Sequence, residues 1–139
     1  MSSATAEELA IDQDRASAFA DKVAEYINAG AVAAMVSIGH RTGLFDTMAK
    51  MPPSTSAELA HRADLAERYV REWLAVMVVA GIVSYDPSTQ CYALPKEHAA
   101  SLTRQAELGN LAVYAQHVSL MGAMQDRILE CFETGEGVG

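Results

Sequence analysis

Between Ser17 and Ile38 the apolar residues Val23, Ile27, Ala31, Ala34 and Ile38 recur every three or four positions, the period of an α-helix with one buried side. Val32, Met35 and Val36 fall outside that stripe, so the helix has apolar surface for more than one neighbour. Gly39 and Gly43 bracket a predicted break. Leu44, Phe45 and Met48 then give a short helix that ends near the Pro52-Pro53 pair. Thr55 and Glu58 have capping-box spacing, in which the hydroxyl accepts from a first-turn amide and the carboxylate reaches back to the cap. Asp64 with Glu67 repeats that spacing, which puts a turn at residues 62–64 between two helices. Gly81 supplies a left-handed stop for the second helix. Residues 82–85 and 91–94 are short β-prone runs around the polar loop 86–90, the outline of a wing.

Past Pro95 the pattern predicts a short helix through His98 and Leu102, then a long one from about Glu107 to Phe132. Its stripe is Leu111, Tyr114, Val118, Met121, Met124, Ile128 and Phe132, while Val113 and Leu120 sit on another face. The expected fold class is therefore mainly α, a winged helix-turn-helix with a two-stranded wing and long flanking N- and C-terminal helices. Three segments are expected: an acidic, Ser/Ala-rich mobile tail over residues 1–14, the winged-helix domain over 15–105, and a long helix with a hinge over 106–139. No strand-helix-strand alternation occurs, so a parallel α/β cofactor domain is not expected within the chain.

Composition narrows the partners more than the fold. Half of the 139 residues are apolar, enough for one domain with a real core. The formal net charge is −8, whereas DNA-binding modules draw most of their affinity from phosphate neutralisation by clustered Lys and Arg. The helix at 65–80 would be the recognition helix of a DNA reader. Its outward charges, Glu67, Arg68, Arg71 and Glu72, form two i, i+4 pairs that cancel, and the wing tip carries Asp86 with no Lys or Arg. No nucleic-acid partner is expected, and a stand-alone DNA-binding regulator stays as the alternative on fold alone. The apolar run 74–83 is too short to span a bilayer, and the acidic N-terminus lacks the basic-then-apolar order of a secretion signal. A cytoplasmic protein without membrane contact is expected, with Cys91 and Cys131 reduced.

Candidate chemistry is sparse. Glu58 and His61 have the E-x-x-H spacing of di-iron bundles, but no second pair exists and Glu58 already has a capping role, so no metal site is expected. His40 and His98 stand alone in the sequence, and so does His117, next to the apolar stripe of the last helix. Tyr114, His117 and Met121 are the candidate substrate contacts, on helix position alone. The terminal GEGVG, residues 135–139, has the glycines of a phosphate loop but follows a helix instead of preceding one, which reads as a hinge.

The segments GHRTGLFD, TSAELAHRADL, ERYVREWLAVMVVAGIVSYD, YALPKEHAASL, HVSLMG and CFETGEGV, in that order, resemble the N-terminal winged-helix module of bacterial class I S-adenosylmethionine-dependent methyltransferases related to small-molecule O-methyltransferases. Arg68, Tyr69, Arg71, Glu72 and Trp73, followed by Gly81 and Tyr85, go beyond generic helix-turn-helix patterning. The resemblance implies a module that makes a homodimer, here through the helices at 17–38 and 107–132, and that walls a small-molecule substrate cavity. It places S-adenosylmethionine and any general base in a following catalytic domain, so no catalytic, cofactor-binding or metal-binding residue carries over to these positions. The chain by itself is expected to transfer no methyl group, whether it is a fragment or a natural truncation.

Overall fold

The computed structural model describes residues 10–139, so most of the tail expected over 1–14 lies outside the described residues. The chain forms two compact units that divide between Ala31 and Val32, with helix α1, Gln13–Thr42, running through the boundary. The next elements are α2 (Leu44–Ala49), α3 (Ser56–Ala63), α4 (Glu67–Val79), β1 (Ser84–Asp86), β2 (Cys91–Ala93) and α5 (Lys96–Leu102). A 3₁₀ turn (Leu111–Val113) and α6 (Gln116–Thr134) complete the chain.

In the first unit α1 starts on Asp12, whose carboxylate accepts from the Arg15 amide at 3.1 Å. Phe19, Val23, Tyr26 and Ile27 follow at helical spacing and are solvent-exposed.

The second unit is built around Trp73 of α4. Trp73 stands edge-on to Phe45 at 5.2 Å between ring centroids, and its Nε1–H donates to the Met35 carbonyl of α1 at 2.9 Å. Phe45, Leu74 and Met77 are fully buried with them, and Leu59, Val70 and Val83 extend the core. Gly39 departs from expectation. It lies inside α1, and the chain breaks only at Gly43, where φ is 76°. Gly39 answers to packing instead of a turn, because a Cβ there would lie 2.5 Å from the Trp73 ring and 2.6 Å from the Phe45 ring.

The capping box at α3 forms as expected, with Glu58 N donating to Thr55 Oγ1 at 3.2 Å and Thr55 N donating to Glu58 Oε2 at 2.8 Å. Replacing Thr55 with alanine is expected to lower stability by about 1 kcal/mol, measured by urea unfolding. The second box does not form. Asp64 is the left-handed C-cap of α3, with φ 56°, and α4 starts at Glu67 after Ala66, an N-cap with no side-chain hydrogen bond. Glu67 turns to α3 instead and accepts from Ser56 Oγ at 2.8 Å, tying the starts of the two helices together. The turn of the helix-turn-helix therefore sits at 64–66 rather than 62–64.

Gly81, with φ 74°, ends α4 as expected, and the amides of Ile82 and Val83 both donate to the Met77 carbonyl. Those two residues thus belong to the helix cap, which shortens the wing strands. The strands pair Ser84 with Ala93, Tyr85 with Tyr92 and Asp86 with Cys91, antiparallel, and Ser54 bridges to Tyr92 from the other side.

The long last helix is also shorter than predicted. Gly109 takes φ 92°, and the Asn110 side chain accepts from the Ala112 amide at 3.0 Å, so the chain makes a 3₁₀ turn before α6 begins at Gln116. Ala112 in that turn is fully buried, which anchors it to the core. Arg104, after α5, pins this region down. Its amide and guanidinium both donate to the Asp46 carboxylate, and Nη2 donates to the His40 carbonyl at 2.8 Å. Arg104→Ala is expected to cost about 1 kcal/mol in urea unfolding, since the side chain is half exposed while Asp46 is left mostly buried without its cation.

Candidate functional site

Among the surfaces open to a partner or ligand are the outer face of α4 with the wing, the groove beside the start of α6, and the outer side of α6. On α4, Arg68 Nε lies 3.9 Å from the Glu72 carboxylate and Arg71 Nη1 lies 3.8 Å from Glu67. Both arginines are paired within their own helix, as the spacing predicted, and Glu67 also serves Ser56. At the wing tip the Ser88 hydroxyl and amide donate to Asp86 and hold its carboxyl below the ordinary carboxylate range. An anion thus stands where a winged helix would meet a phosphate, and the face offers no cationic strip for a duplex.

The groove lies between the C-terminal turns of α1 and the start of α6. Its volume is about 520 Å³, and Ser37, Arg41, Val113, His117 and Leu120 line it with three small or polar neighbours from α6. That size falls within the roughly 300–1,000 Å³ of small-molecule sites. His117 Nδ1–H donates to the Tyr114 carbonyl at 2.9 Å, because a carbonyl can only accept, so the neutral ring keeps Nε2 as an acceptor. The Tyr114 and His117 rings stack at 6.2 Å.

Of the three residues chosen from the sequence, His117 lines the groove, Tyr114 stacks on it from an exposed position, and Met121 stands elsewhere. At about 100° per residue, Val118, Met121, Leu129 and Phe132 fall in one arc of roughly 80° on α6. That arc is about half a turn away from Gln116, Ser119 and Ala123, which face the groove. The four apolar residues are solvent-exposed, Phe132 at 86%. The residue missed was Arg41. A signal existed: Arg68 and Arg71 have a Glu four positions away, whereas positions 37, 38, 44 and 45 around Arg41 hold no carboxylate.

The other histidines have structural partners or none. His40 Nδ1 accepts from Asn110 Nδ2 at 3.3 Å, His98 donates to the Ile82 carbonyl at 2.7 Å, and His61 is exposed. Among the described residues no group of His, Cys, Asp and Glu is placed to hold a metal ion, and no helix is long and apolar enough to cross a membrane.

Helix-turn-helix, wing and self-paired recognition helix together define a winged helix-turn-helix domain. The chain belongs to the family of Rv2258c-like winged HTH domains, whose model matches residues 30–104. No curated protein sequence matches it significantly. Solved structures do. Mitomycin 7-O-methyltransferase MmcR superposes with a TM-score of 0.66 at 16% identity over 91% of this chain and 37% of its own. Human N-acetylserotonin methyltransferase in complex with SAM gives 0.65 at 16% identity over 92% and 36%. PigF with SAH gives 0.60 at 18% identity over 87% and 38%. At these identities the likeness is one of fold, and the chain spans little more than a third of the length of these proteins.

The residues described here do not fit S-adenosylmethionine. Their one sheet is the antiparallel wing, and the glycines of GEGVG follow the C-terminus of α6, where Gly135 takes φ 76° as the helix cap. A helix C-terminus presents carbonyls and the negative end of the dipole, the reverse of what an anionic cofactor group needs.

Proposed function

We propose that this chain is the N-terminal module of a small-molecule methyltransferase that uses S-adenosylmethionine, where it pairs two copies of the enzyme and walls the acceptor cavity. The observation that carries this reading is the apolar strip Val118, Met121, Leu129 and Phe132, four large side chains left in water on one side of α6. Phe19, Tyr26 and Ile27 make a similar exposed face on the first half of α1. Helices with such faces are stabilised by a second copy, which a C2 dimer supplies. The methyltransferases that share this fold support the enzyme class, and the ion-paired face of α4 speaks against DNA. In this assignment the His117 groove forms part of the acceptor cavity, with Tyr114, stacked on His117, as the other proposed contact, while Met121, expected from the sequence as a third, belongs to the pairing strip. S-adenosylmethionine and the catalytic groups belong to a domain outside these residues.

Light scattering at micromolar concentration tests the pairing, and the expected mass is twice that of the chain. A monomer would count against it. Gel shift on random duplex DNA at low salt separates this reading from a DNA-binding regulator, which would retain non-specific affinity there. No shift is expected. Turnover of labelled S-adenosylmethionine by this chain alone would overturn the assignment of catalysis to another domain.

A further inference from the structure

The groove beside α6 differs from the rest of the surface in charge. The chain has 18 Asp and Glu against 10 Lys and Arg, yet no carboxylate lines this groove. Arg68, Arg71 and Arg104 are each in an ion pair, whereas Arg41 is in none among the described residues. The other sizeable groove, between α2 and α5, gathers Lys50 and Lys96 but also Asp46 and Glu107, so its charges are mixed. Beside α6 the Arg41 guanidinium, in no ion pair among the described residues, meets apolar walls from Val113 and Leu120.

We propose that this groove takes a small organic acid, an apolar body carrying a carboxylate and a hydroxyl. The proposal rests on the reading of the groove as an acceptor wall and narrows that acceptor to an anion. A guanidinium offers five N–H donors in a planar fork that matches a carboxylate, and among the described residues no carboxylate pairs with Arg41. His117 spends Nδ1–H on the Tyr114 carbonyl and keeps Nε2 to accept from a hydroxyl. Val113 and Leu120 hold the apolar body. On a chain of net charge −8 an anion is repelled by the overall field, so binding depends on that one local cation and weakens with salt.

The test is a titration of the chain with 4-hydroxybenzoate, and separately with its methyl ester, followed by amide shifts in ¹H–¹⁵N spectra. Saturable shifts at Arg41, Val113 and His117 are expected with the acid. Binding should weaken roughly tenfold or more for the ester and for Arg41→Gln. Arg41 is exposed and in no ion pair among the described residues, so Arg41→Gln should keep the wild-type melting temperature. His117→Ala should abolish the preference for 4-hydroxybenzoate over benzoate. Equal affinity for acid and ester, or an Arg41→Gln variant that binds normally, overturns the acid specificity and leaves the small-molecule wall standing. No saturable shift with either probe up to its solubility limit overturns the site itself, while pairing is read independently by light scattering.

Discussion

Trp73→Ala is expected to remove about 4 kcal/mol of stability, the typical cost of deleting a fully buried tryptophan. The residue is 2% exposed and touches two elements at once. Its ring supports Phe45 of α2, and its Nε1–H closes a hydrogen bond to Met35 of α1 over 38 positions of sequence. Gly39, which admits the ring by lacking a Cβ, cannot collapse far enough to refill the void, because it is held within α1. Marginally stable domains have about 5–15 kcal/mol in total, so the variant should unfold at much lower urea or fail to accumulate. Trp73→Phe separates the two contributions. It keeps most of the ring and loses the hydrogen bond, so it should fall between wild type and alanine, and equal stability of Trp73→Phe and wild type would show that the Met35 bond contributes nothing.

The second large effect concerns association. Met121→Glu with Phe132→Glu is expected to convert a dimer to a monomer, with a loss in affinity of about 100-fold or more, since each charge enters a C2 interface twice and is buried without a partner. Both side chains are exposed in the single chain, Met121 at 67%, so the circular dichroism spectrum and melting of the monomeric fold should not change beyond the loss of mass-action stabilisation. Light scattering across a concentration series measures this directly. A double variant that remains dimeric would move the interface off this side of α6.

Local patterns read well where the side chain that stops or starts an element acts on its own turn. Thr55 and Glu58 cap α3 as their spacing says, and Gly81 ends α4 in the left-handed region, because both devices need only the few residues beside them. The pairing of Arg68 with Glu72 and Arg71 with Glu67 was legible for the same reason. The candidate site was less legible. A helical period reaching back from Phe132 suggested one continuous helix. Gly109 and Asn110 interrupt it, and α6 begins only at Gln116, with His117 and Leu120 lining the groove and Met121 outside it.

The sequence by itself determined the helix-turn-helix, the wing, the acidic surface and the apolar excess on the first and last helices, since these depend on period, spacing and charge within short windows. Only the tertiary structure decided that Gly39 is a packing glycine, that Asp64 ends one helix instead of starting the next, and that Arg41 faces a groove with no carboxylate in it. Each of those depends on what a distant segment brings near: the ring of Trp73, the Ser56 hydroxyl that draws Glu67 away, and the 3₁₀ turn that aligns α6 beside α1.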